Sequence, residues 1–384
     1  MSKIRSSKRS LLLLGPRQVG KSTLILSLQP DLIVNLAREQ EFLDFAQSPD
    51  RLERMVIDKI ARTDRQVTVF IDEVQRLPSL LNTIQVILDQ RSAQVKFYLS
   101  GSSARKLKRG NANLLPGRIH TYEMGPLCAA ELSGSISTEV ALATGTLPGI
   151  WFEDSASERE KTLKSYSATY LREEIQAESL SRNLEGFARF IGILGAWNGR
   201  TLDLSKLAQA AQVSRTSVSR WFEIVEETLI IRRVESYTTK LSHRLVRHPK
   251  FYFFDNGVAN GLLANFIVSA DRKGILFENL ILSQLHATAM AYDTPISVET
   301  FRTEAGVEVD FVVRLSGKLY AIEVKSSQQV STHDLKGLLR FKEIVKEPCE
   351  FRFWYTGDRD QRIGDIEVSN WVSGLTRLGW GSAK

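Results

Sequence analysis

Residues 15–22, with the sequence GPRQVGKS, are the stretch that decides the fold of this 384-residue chain. They fit the pattern G-x-x-x-x-G-K-[ST] at every fixed position. The apolar run 11–14 before them predicts a buried strand, and residues 22–28 after them predict the start of a helix. The two glycines let the backbone turn tightly, so that successive N–H groups and the helix N-terminus can face a phosphate. The alternative is a chance Gly-rich turn before a helix.

This pattern predicts a phosphate-binding loop with separate roles for its last residues. We expect Lys21 to reach the β- and γ-phosphates of a nucleotide, and the hydroxyl of Ser22 to bind Mg²⁺. The residues expected to contact the nucleotide are Gly15, Pro16, Arg17, Gln18, Val19, Gly20, Lys21, Ser22 and Thr23.

A second motif follows about 50 residues later, where residues 67–73 read VTVFIDE. Five strand-forming residues end in two carboxylates, and strands that alternate with helices indicate a parallel sheet with its ligand at the C-terminal ends of the strands. Both motifs fall at such ends. We expect Asp72 to hold Mg²⁺, directly or through water, and Glu73 to orient and polarise the attacking water.

Two further candidates lie downstream in the first third of the chain. Residues 96–103 (KFYLSGSS) predict a strand that ends in small polar residues, where a hydroxyl could bind the γ-phosphate or the lytic water; a plain Ser/Gly turn is the alternative. Arg118 follows a Pro-Gly turn and could complete the site of a neighbouring subunit, because a cation offered in trans stabilises the charge of phosphoryl transfer.

The ordered runs GPRQVGKSTL, FIDEVQRLPSLL, FYLSGSSARKL and LLPGRIHTYEMGPL resemble one family of bacterial and archaeal AAA+ ATPases. Members of this family join a P-loop core to a C-terminal domain of uncharacterised function. The resemblance implies that Lys21 and Ser22 bind ATP–Mg²⁺ and that Asp72 and Glu73 form the Walker B pair. It also implies that Ser102 is the sensor and that Arg118 is the finger residue.

Composition limits the cellular setting and suggests one class of partner. The chain has no apolar stretch long enough for a membrane span, and two cysteines support neither a disulfide framework nor a cysteine zinc site, so the cytoplasm is the default expectation. Residues 1–130 carry 20 Lys/Arg against 12 Asp/Glu, and residues 180–250 carry 12 against 6. Such basic segments suit a polyanion such as DNA, although a solvated surface beside a nucleotide pocket would look the same.

The middle of the chain predicts a helical lid or connector followed by a winged helix-turn-helix. Residues 204–211 and 214–222 read as two helices around a tight turn, and residues 229–234 follow as a β-like run. The second helix of such a motif can enter the DNA major groove. Its exposed polar positions, the candidate DNA contacts, are Arg215, Thr216, Ser217 and Arg220. Many winged helices instead pack against other domains or subunits.

The last third carries charged residues on two strands that a turn at Ser316-Gly317 pairs. Because side chains alternate along a strand, Glu323 and Lys325 share a face, and Asp310 can lie opposite them. Burying these groups is costly unless a cation is present. The pattern resembles the PD-(D/E)xK nuclease superfamily, which implies that Glu278, Asp310 and Glu323 bind the metal and that Lys325 positions the water. An inactive nuclease-like fold and a coincidental pattern remain the alternatives.

Taken together, the sequence predicts an α/β protein with four parts. These are an AAA+ P-loop parallel-sheet core (1–130), a helical lid or connector (131–180), a winged helix-turn-helix (181–245) and a restriction-endonuclease-like α/β domain (246–384). The predicted function is a Mg-ATP-dependent, oligomeric ATPase that binds or processes DNA, including branched DNA such as Holliday junctions. The alternative is a nucleotide-dependent switch with protein partners and an inactive nuclease-like scaffold.

Overall fold

The computed structural model of the chain describes residue 4 and residues 7–102, 115–177, 183–238 and 248–380, with only the backbone of residues 168 and 170–177. The chain divides into two compact units. The N-terminal unit comprises Met1–Gly125 with Glu227–Leu229, and the C-terminal unit comprises Pro126–Glu226 and Ile230–Lys384. The predicted four-part division is a finer one and stays a prediction.

The N-terminal unit is built on a sheet of five parallel strands in the order β2-β3-β4-β1-β5. The strands are β1 (Ser10–Leu14), β2 (Leu32–Asn35), β3 (Val67–Asp72), β4 (Val95–Gly101) and β5 (Ile119–Glu123). Strands β1 and β4 are buried along their whole length, as their continuous apolar runs require in a sheet covered on both faces. The predicted parallel-sheet core is therefore confirmed.

In the part of this unit that the structure describes, four helices cover the sheet: α1 (Lys21–Leu26), α2 (Glu39–Gln47), α3 (Arg51–Ala61) and α4 (Leu80–Arg91). Helix α4 buries Leu80, Leu81, Ile84 and Ile87, which recur at helical spacing and pack with Val69 and other residues of the central strands. A short 3-10 turn (Val74–Arg76) separates β3 from α4. The phosphate-loop motif after β1 and the Asp72-Glu73 motif at the end of β3 therefore belong to the same sheet.

The C-terminal unit begins with a set of helices and a two-stranded sheet. The helices are α5 (Thr138–Thr144), α6 (Pro148–Trp151), α7 (Ala156–Ala177), α8 (Leu184–Ala196), α9 (Leu204–Ala211) and α10 (Arg215–Glu227). The antiparallel strands β6 (Ile231–Val234) and β7 (Lys250–Phe253) follow. The rings of Phe187, Phe190 and Trp221 pack together between α8 and α10.

The rest of the unit is a six-stranded mixed sheet in the order β12-β13-β11-β10-β9-β8. Its elements are α11 (Asn256–Leu262), α12 (Ala270–Tyr292), β8 (Ile296–Arg302), β9 (Glu308–Leu315), β10 (Lys318–Lys325), α13 (Lys336–Ile344), β11 (Cys349–Tyr355), β12 (Gln361–Ile363), β13 (Ile366–Asn370) and α14 (Trp371–Arg377). The turn predicted at Ser316-Gly317 joins β9 to β10, and both residues have the positive φ that a two-residue hairpin needs. Helix α12 packs on one face of the sheet and α13 on the other.

Asp255 organises the junction between strand β7 and the helices around it. Its buried carboxylate accepts hydrogen bonds from the Thr146 N–H at 2.7 Å and from the Val258 N–H at 3.2 Å, which caps α11. A Cβ at position 145 would lie 2.0 Å from this carboxylate, so that position requires glycine. Asn256 extends the network by donating to the Leu276 carbonyl at 2.9 Å.

Among the described residues, no helix combines the length and apolarity that a membrane crossing requires.

Candidate functional site

The loop between β1 and α1 has the backbone that its glycines predict. Gly20 has a φ of 94°, and a Cβ at position 15 would lie 2.2 Å from the Met124 carbonyl oxygen. Lys21 is 6% exposed, and its ammonium group donates to the carbonyls of Gly15 and Pro16, each at 2.8 Å. The predicted loop residues 15–23 thus form one turn at the C-terminal end of β1, with Lys21 folded into it.

Ser22 and Asp72 meet across the sheet edge. The Ser22 hydroxyl lies 2.9 Å from each carboxylate oxygen of Asp72, so the first turn of α1 is joined to the end of β3. Ser100, at the end of the intervening strand β4, also donates to Asp72 and accepts from the Glu73 N–H at 3.2 Å. A hydroxyl and a carboxylate are hard oxygen ligands, so this donor set fits Mg²⁺.

Glu73 is followed by a second group of polar side chains. Its backbone is left-handed (φ 58°, ψ 43°), which turns the chain sharply after β3. The side-chain amide of Gln75 donates to the Glu73 carboxylate and, at 3.0 Å, to the Ser102 hydroxyl. The predicted sensor Ser102 is therefore linked to the predicted catalytic Glu73 through Gln75.

Ser100 and Gln75 were missed by sequence reasoning. The Ser-Gly-Ser end of β4 signalled a polar contact, but the sequence does not say which of its hydroxyls reaches Asp72. That depends on β4 lying between β1 and β3, which only the strand order reveals. The sequence held one signal for Gln75, namely its position two residues after Glu73. A tight turn at that point would bring the side chain of Gln75 back to Glu73.

Arg118 lies at the opposite end of the same sheet from the phosphate loop, where strands β1 and β5 begin. It precedes β5, whose first residue Ile119 is level with Ser10, whereas the phosphate loop follows Leu14 at the opposite end of β1. At about 3.3 Å per strand residue, the two ends of β1 are roughly 13 Å apart. Arg118 makes a two-point ion pair with Asp89 of α4, at 2.5 and 2.9 Å. The structure thus separates Arg118 from the phosphate loop of its own chain.

In the C-terminal unit, Glu278 is held by a cation and a phenol. Lys250 donates to Glu278 at 3.0 Å and forms an ion pair with Glu308 at 2.8 Å, and the Tyr252 hydroxyl also donates to Glu278. The side chains of Lys250 and Glu278 are 12% and 14% exposed. Although burial opposes its charge, the two carboxylates raise the pKa of Lys250. Lys250 therefore offsets part of the negative charge around Glu278.

Asp310 and Glu323 lie together beside this group. Asp310 accepts from the Val324 N–H at 2.9 Å, and the Oε2 atom of Glu323 is buried without a hydrogen-bond partner among the described residues. Burial, reinforced by Glu278, raises the pKa of Asp310 to about 8, and burial also raises the pKa of Glu323 well above its usual range. Both shifts have the same origin, because burial and the neighbouring carboxylates each disfavour a further negative charge.

The residues of the expected nuclease-like metal site lie near one another and have protein partners of their own. Within the described residues, no three Asp, Glu, His or Cys side chains are grouped so that they could hold a metal ion. Lys325 shares the strand and face of Glu323 but donates to Asp334 at 2.7 Å. The assignment of Glu278, Asp310 and Glu323 as metal ligands stays a prediction, and Lys250 supplies a positive charge next to Glu278.

The predicted DNA-contacting residues occupy the first turns of α10. Arg215, Thr216 and Arg220 are exposed, whereas Ser217 is half-buried and its N–H donates to the Ser214 hydroxyl at 3.1 Å. The opposite side of α10 buries its apolar residues, including Val218 and Trp221. The polar positions therefore share an outward-facing surface of the helix.

The five-stranded parallel sheet, the loop after β1 and the carboxylates after β3 define a P-loop nucleotide-binding unit. Residues 7–133 match the family described as AAA domain, and the N-terminal unit is thus an AAA-type P-loop ATPase domain. Residues 137–266 and 273–374 match two domains of unknown function, DUF8612 and DUF4143.

The similar proteins do not indicate an activity for this chain. Uncharacterized proteins of Mycobacterium bovis and Mycobacterium tuberculosis are each 25% identical over 94% of this chain and 79% of their own length. Among solved structures, RuvB of Thermotoga maritima is 18% identical, covering 61% of this chain and 85% of that chain, with a TM-score of 0.26. PCH-2 of C. elegans is 18% identical, covering 60% and 64%, with a TM-score of 0.27.

Proposed function

We propose that the chain is a Mg-ATP-dependent AAA+ ATPase that works as a homo-oligomer and couples ATP hydrolysis to binding or processing of DNA. The observation that carries the proposal is the meeting of Ser22, Asp72 and Ser100 at one sheet edge, beside the folded-in Lys21. Hydroxyl, carboxylate and ammonium groups at that edge match the needs of a nucleotide triphosphate.

Each residue of the edge has a distinct task in this proposal. Lys21 exchanges the carbonyls of Gly15 and Pro16 for phosphate oxygens, a charge-assisted contact that is stronger than the one it leaves. Ser22 and Asp72 would hold Mg²⁺, which when bound neutralises charge on the phosphates. Glu73 orients the attacking water and accepts its proton.

The position of Arg118 supports an oligomer. Because it lies at the sheet edge away from the phosphate loop, it can reach a triphosphate only on another copy of the chain. An arginine that completes a site in trans typically contributes a large part of the rate of phosphoryl transfer. To do so, Arg118 must leave Asp89; that ion pair is partly exposed (33% and 47%), and such pairs cost little to break.

DNA is the proposed partner of the C-terminal unit, through α10. The three helices α8–α10 followed by the antiparallel pair β6–β7 support the winged-helix interpretation, and exposed Arg215 and Arg220 suit phosphate contacts. The alternative is a nucleotide-dependent switch with protein partners. With either partner, the Lys250–Glu278 ion pair favours an inactive nuclease-like scaffold. Endonuclease activity stays a prediction.

The ATPase proposal is tested by comparing wild type with Lys21→Ala and Glu73→Gln. We expect Lys21→Ala to lose ATP binding in a fluorescent-nucleotide assay, and Glu73→Gln to bind ATP but to hydrolyse it only at a small, measurable residual rate. Retained affinity in Lys21→Ala would refute the phosphate-loop assignment. The DNA proposal is tested by mobility shift on duplex and four-way-junction DNA over a salt series; no retardation at low salt would leave the protein-partner alternative.

A further inference from the structure

Gln75 is a buried polar residue whose place beside the candidate ATP site invites a function. It lies in the 3-10 turn that follows Glu73 and is only 6% exposed. Its amide nitrogen donates to the carboxylate of Glu73 and to the hydroxyl of Ser102, which ends strand β4. One side chain thus joins two neighbouring strand ends of the sheet.

The hydrogen-bonding capacity of these groups fixes the direction of the link. A carboxamide nitrogen carries two hydrogens, and Gln75 uses one on Glu73 and one on Ser102. The reversed amide would place its oxygen against the Glu73 carboxylate, so this orientation is the one the site allows. Ser102 accepts from Gln75 and keeps its hydroxyl hydrogen for another acceptor, such as a phosphate oxygen.

The surroundings of Gln75 are shaped around its amide. Its Oε1 atom is buried without a hydrogen-bond partner among the described residues, which costs free energy and marks a site kept for more than packing. A Cβ at position 101 would lie 2.9 Å from this oxygen. Gly101 therefore leaves the room that the amide occupies, on the strand that also carries Ser102.

We propose that Gln75 is a positioning residue that couples Ser102 to Glu73, so that contact between Ser102 and the terminal phosphate of ATP fixes the carboxylate of Glu73 for proton abstraction. This inference rests on the proposed ATPase function. Gln75 holds one oxygen of Glu73 and leaves the other for the water. Loss of the amide leaves binding of ATP intact, because Lys21 and Ser22 supply it, and reduces the chemical step.

The test uses Gln75→Leu and Gln75→Met in the full-length chain, with Gln66→Leu as the matched control. Gln66 directly precedes β3, at the opposite end from Gln75, and is exposed. We expect both Gln75 variants to lower kcat about 10- to 100-fold, the range of a misplaced general base, while KM and the Kd for ATP stay within about threefold of wild type. Gln66→Leu should retain wild-type kcat.

A double-mutant cycle tests the coupling itself. If Gln75 acts through Glu73, then Glu73→Gln combined with Gln75→Leu should lose no more activity than Glu73→Gln alone. Ser102→Ala combined with Gln75→Leu should likewise lose less than the product of the two single losses. Independent, multiplicative losses in both cycles would overturn the proposal.

The remaining outcomes separate this inference from the ATPase proposal. Wild-type turnover in Glu73→Gln would refute the ATPase assignment and, with it, any positioning role. Loss of turnover in Glu73→Gln with normal turnover in both Gln75 variants would refute the inference alone. A fall in ATP affinity or in thermal unfolding temperature that matches the loss of kcat in both Gln75 variants would make Gln75 a structural residue and also overturn it.

Discussion

Replacing Asp255 by asparagine isolates one buried charge in the C-terminal unit. The carboxylate is 1% exposed and accepts N–H groups from Thr146 and Val258. Burial raises the pKa of Asp255 from its ordinary value of 3.8 to about 6, against the opposite effect of the N–H donors. Asparagine keeps the volume and an oxygen that can cap α11, but it does not titrate.

The sign and size of the expected effect follow from that shift. Because the folded-state pKa of Asp255 lies above its unfolded value, the folded unit binds the proton more tightly. The group's contribution to stability is therefore full below about pH 4 and is lost as the pH rises through about 6. A shift of about two units corresponds to roughly 3 kcal/mol. The free energy of unfolding of wild type, relative to Asp255→Asn, should fall by roughly that amount between about pH 4 and pH 7.

Tryptophan fluorescence gives a selective assay for this unit. All six tryptophans lie beyond residue 150 and hence within the C-terminal unit. Urea denaturation of both proteins across this pH range yields the difference directly, and groups common to both cancel. Asp154→Asn, at an exposed position, controls for the change in net charge. A wild-type minus Asp255→Asn difference that is flat with pH, or that rises, would refute the assigned burial cost.

Three further predictions concern charged residues. Arg118→Ala should lower ATP turnover by about 10³-fold or more and leave the Kd for ATP unchanged; normal turnover in a coupled phosphate-release assay would remove the trans role. Lys250→Met should lower the free energy of unfolding by about 3–5 kcal/mol in urea, because it strands a half-buried carboxylate, and Glu278→Gln should restore part of it; an unchanged midpoint would contradict this. Arg215→Ala and Arg220→Ala should each weaken DNA binding on all sequences and reduce the slope of log K against log salt by about one; an unchanged slope would exclude phosphate contacts by α10.

The sequence was sufficient to bring the phosphate-loop motif and the Asp72-Glu73 motif to one end of the sheet, because both motifs are local. Residues 15–22 carry their own strand, turn and helix signals, and Asp72 and Glu73 end a strand that alternation and composition identify. Parallel-sheet topology then brings both motifs to one edge, whatever the strand order. The choice between Ser100 and Ser102 was beyond reach, because both alternate onto the same face. Only the register of β3 against β4, in which Ile71 pairs with Leu99, places Ser100 level with Asp72.

The C-terminal unit shows where local patterns fail. Alternation correctly paired β9 with β10 through the turn at Ser316-Gly317. The sequence could not show that Lys250, 28 residues before Glu278, would neutralise it. A largely buried lysine and an exposed lysine look alike in a sequence. The same holds for Asp255, whose partner Thr146 lies 109 residues away.

The carboxylates of the two candidate sites have different partners, and this difference favours the N-terminal unit as the place where a metal ion would bind. In the N-terminal unit, Asp72 accepts from the hydroxyls of Ser22 and Ser100, and Glu73 accepts from the amide of Gln75. These donors are neutral, so they orient the carboxylates without cancelling their charge, and that charge can attract a divalent cation. In the C-terminal unit, the ammonium group of Lys250 lies within 3.0 Å of Glu278 and 2.8 Å of Glu308. A metal ion beside Glu278 would have to displace the ammonium group of Lys250. A metal ion beside Asp72 would meet a carboxylate whose hydrogen-bond donors are neutral hydroxyls.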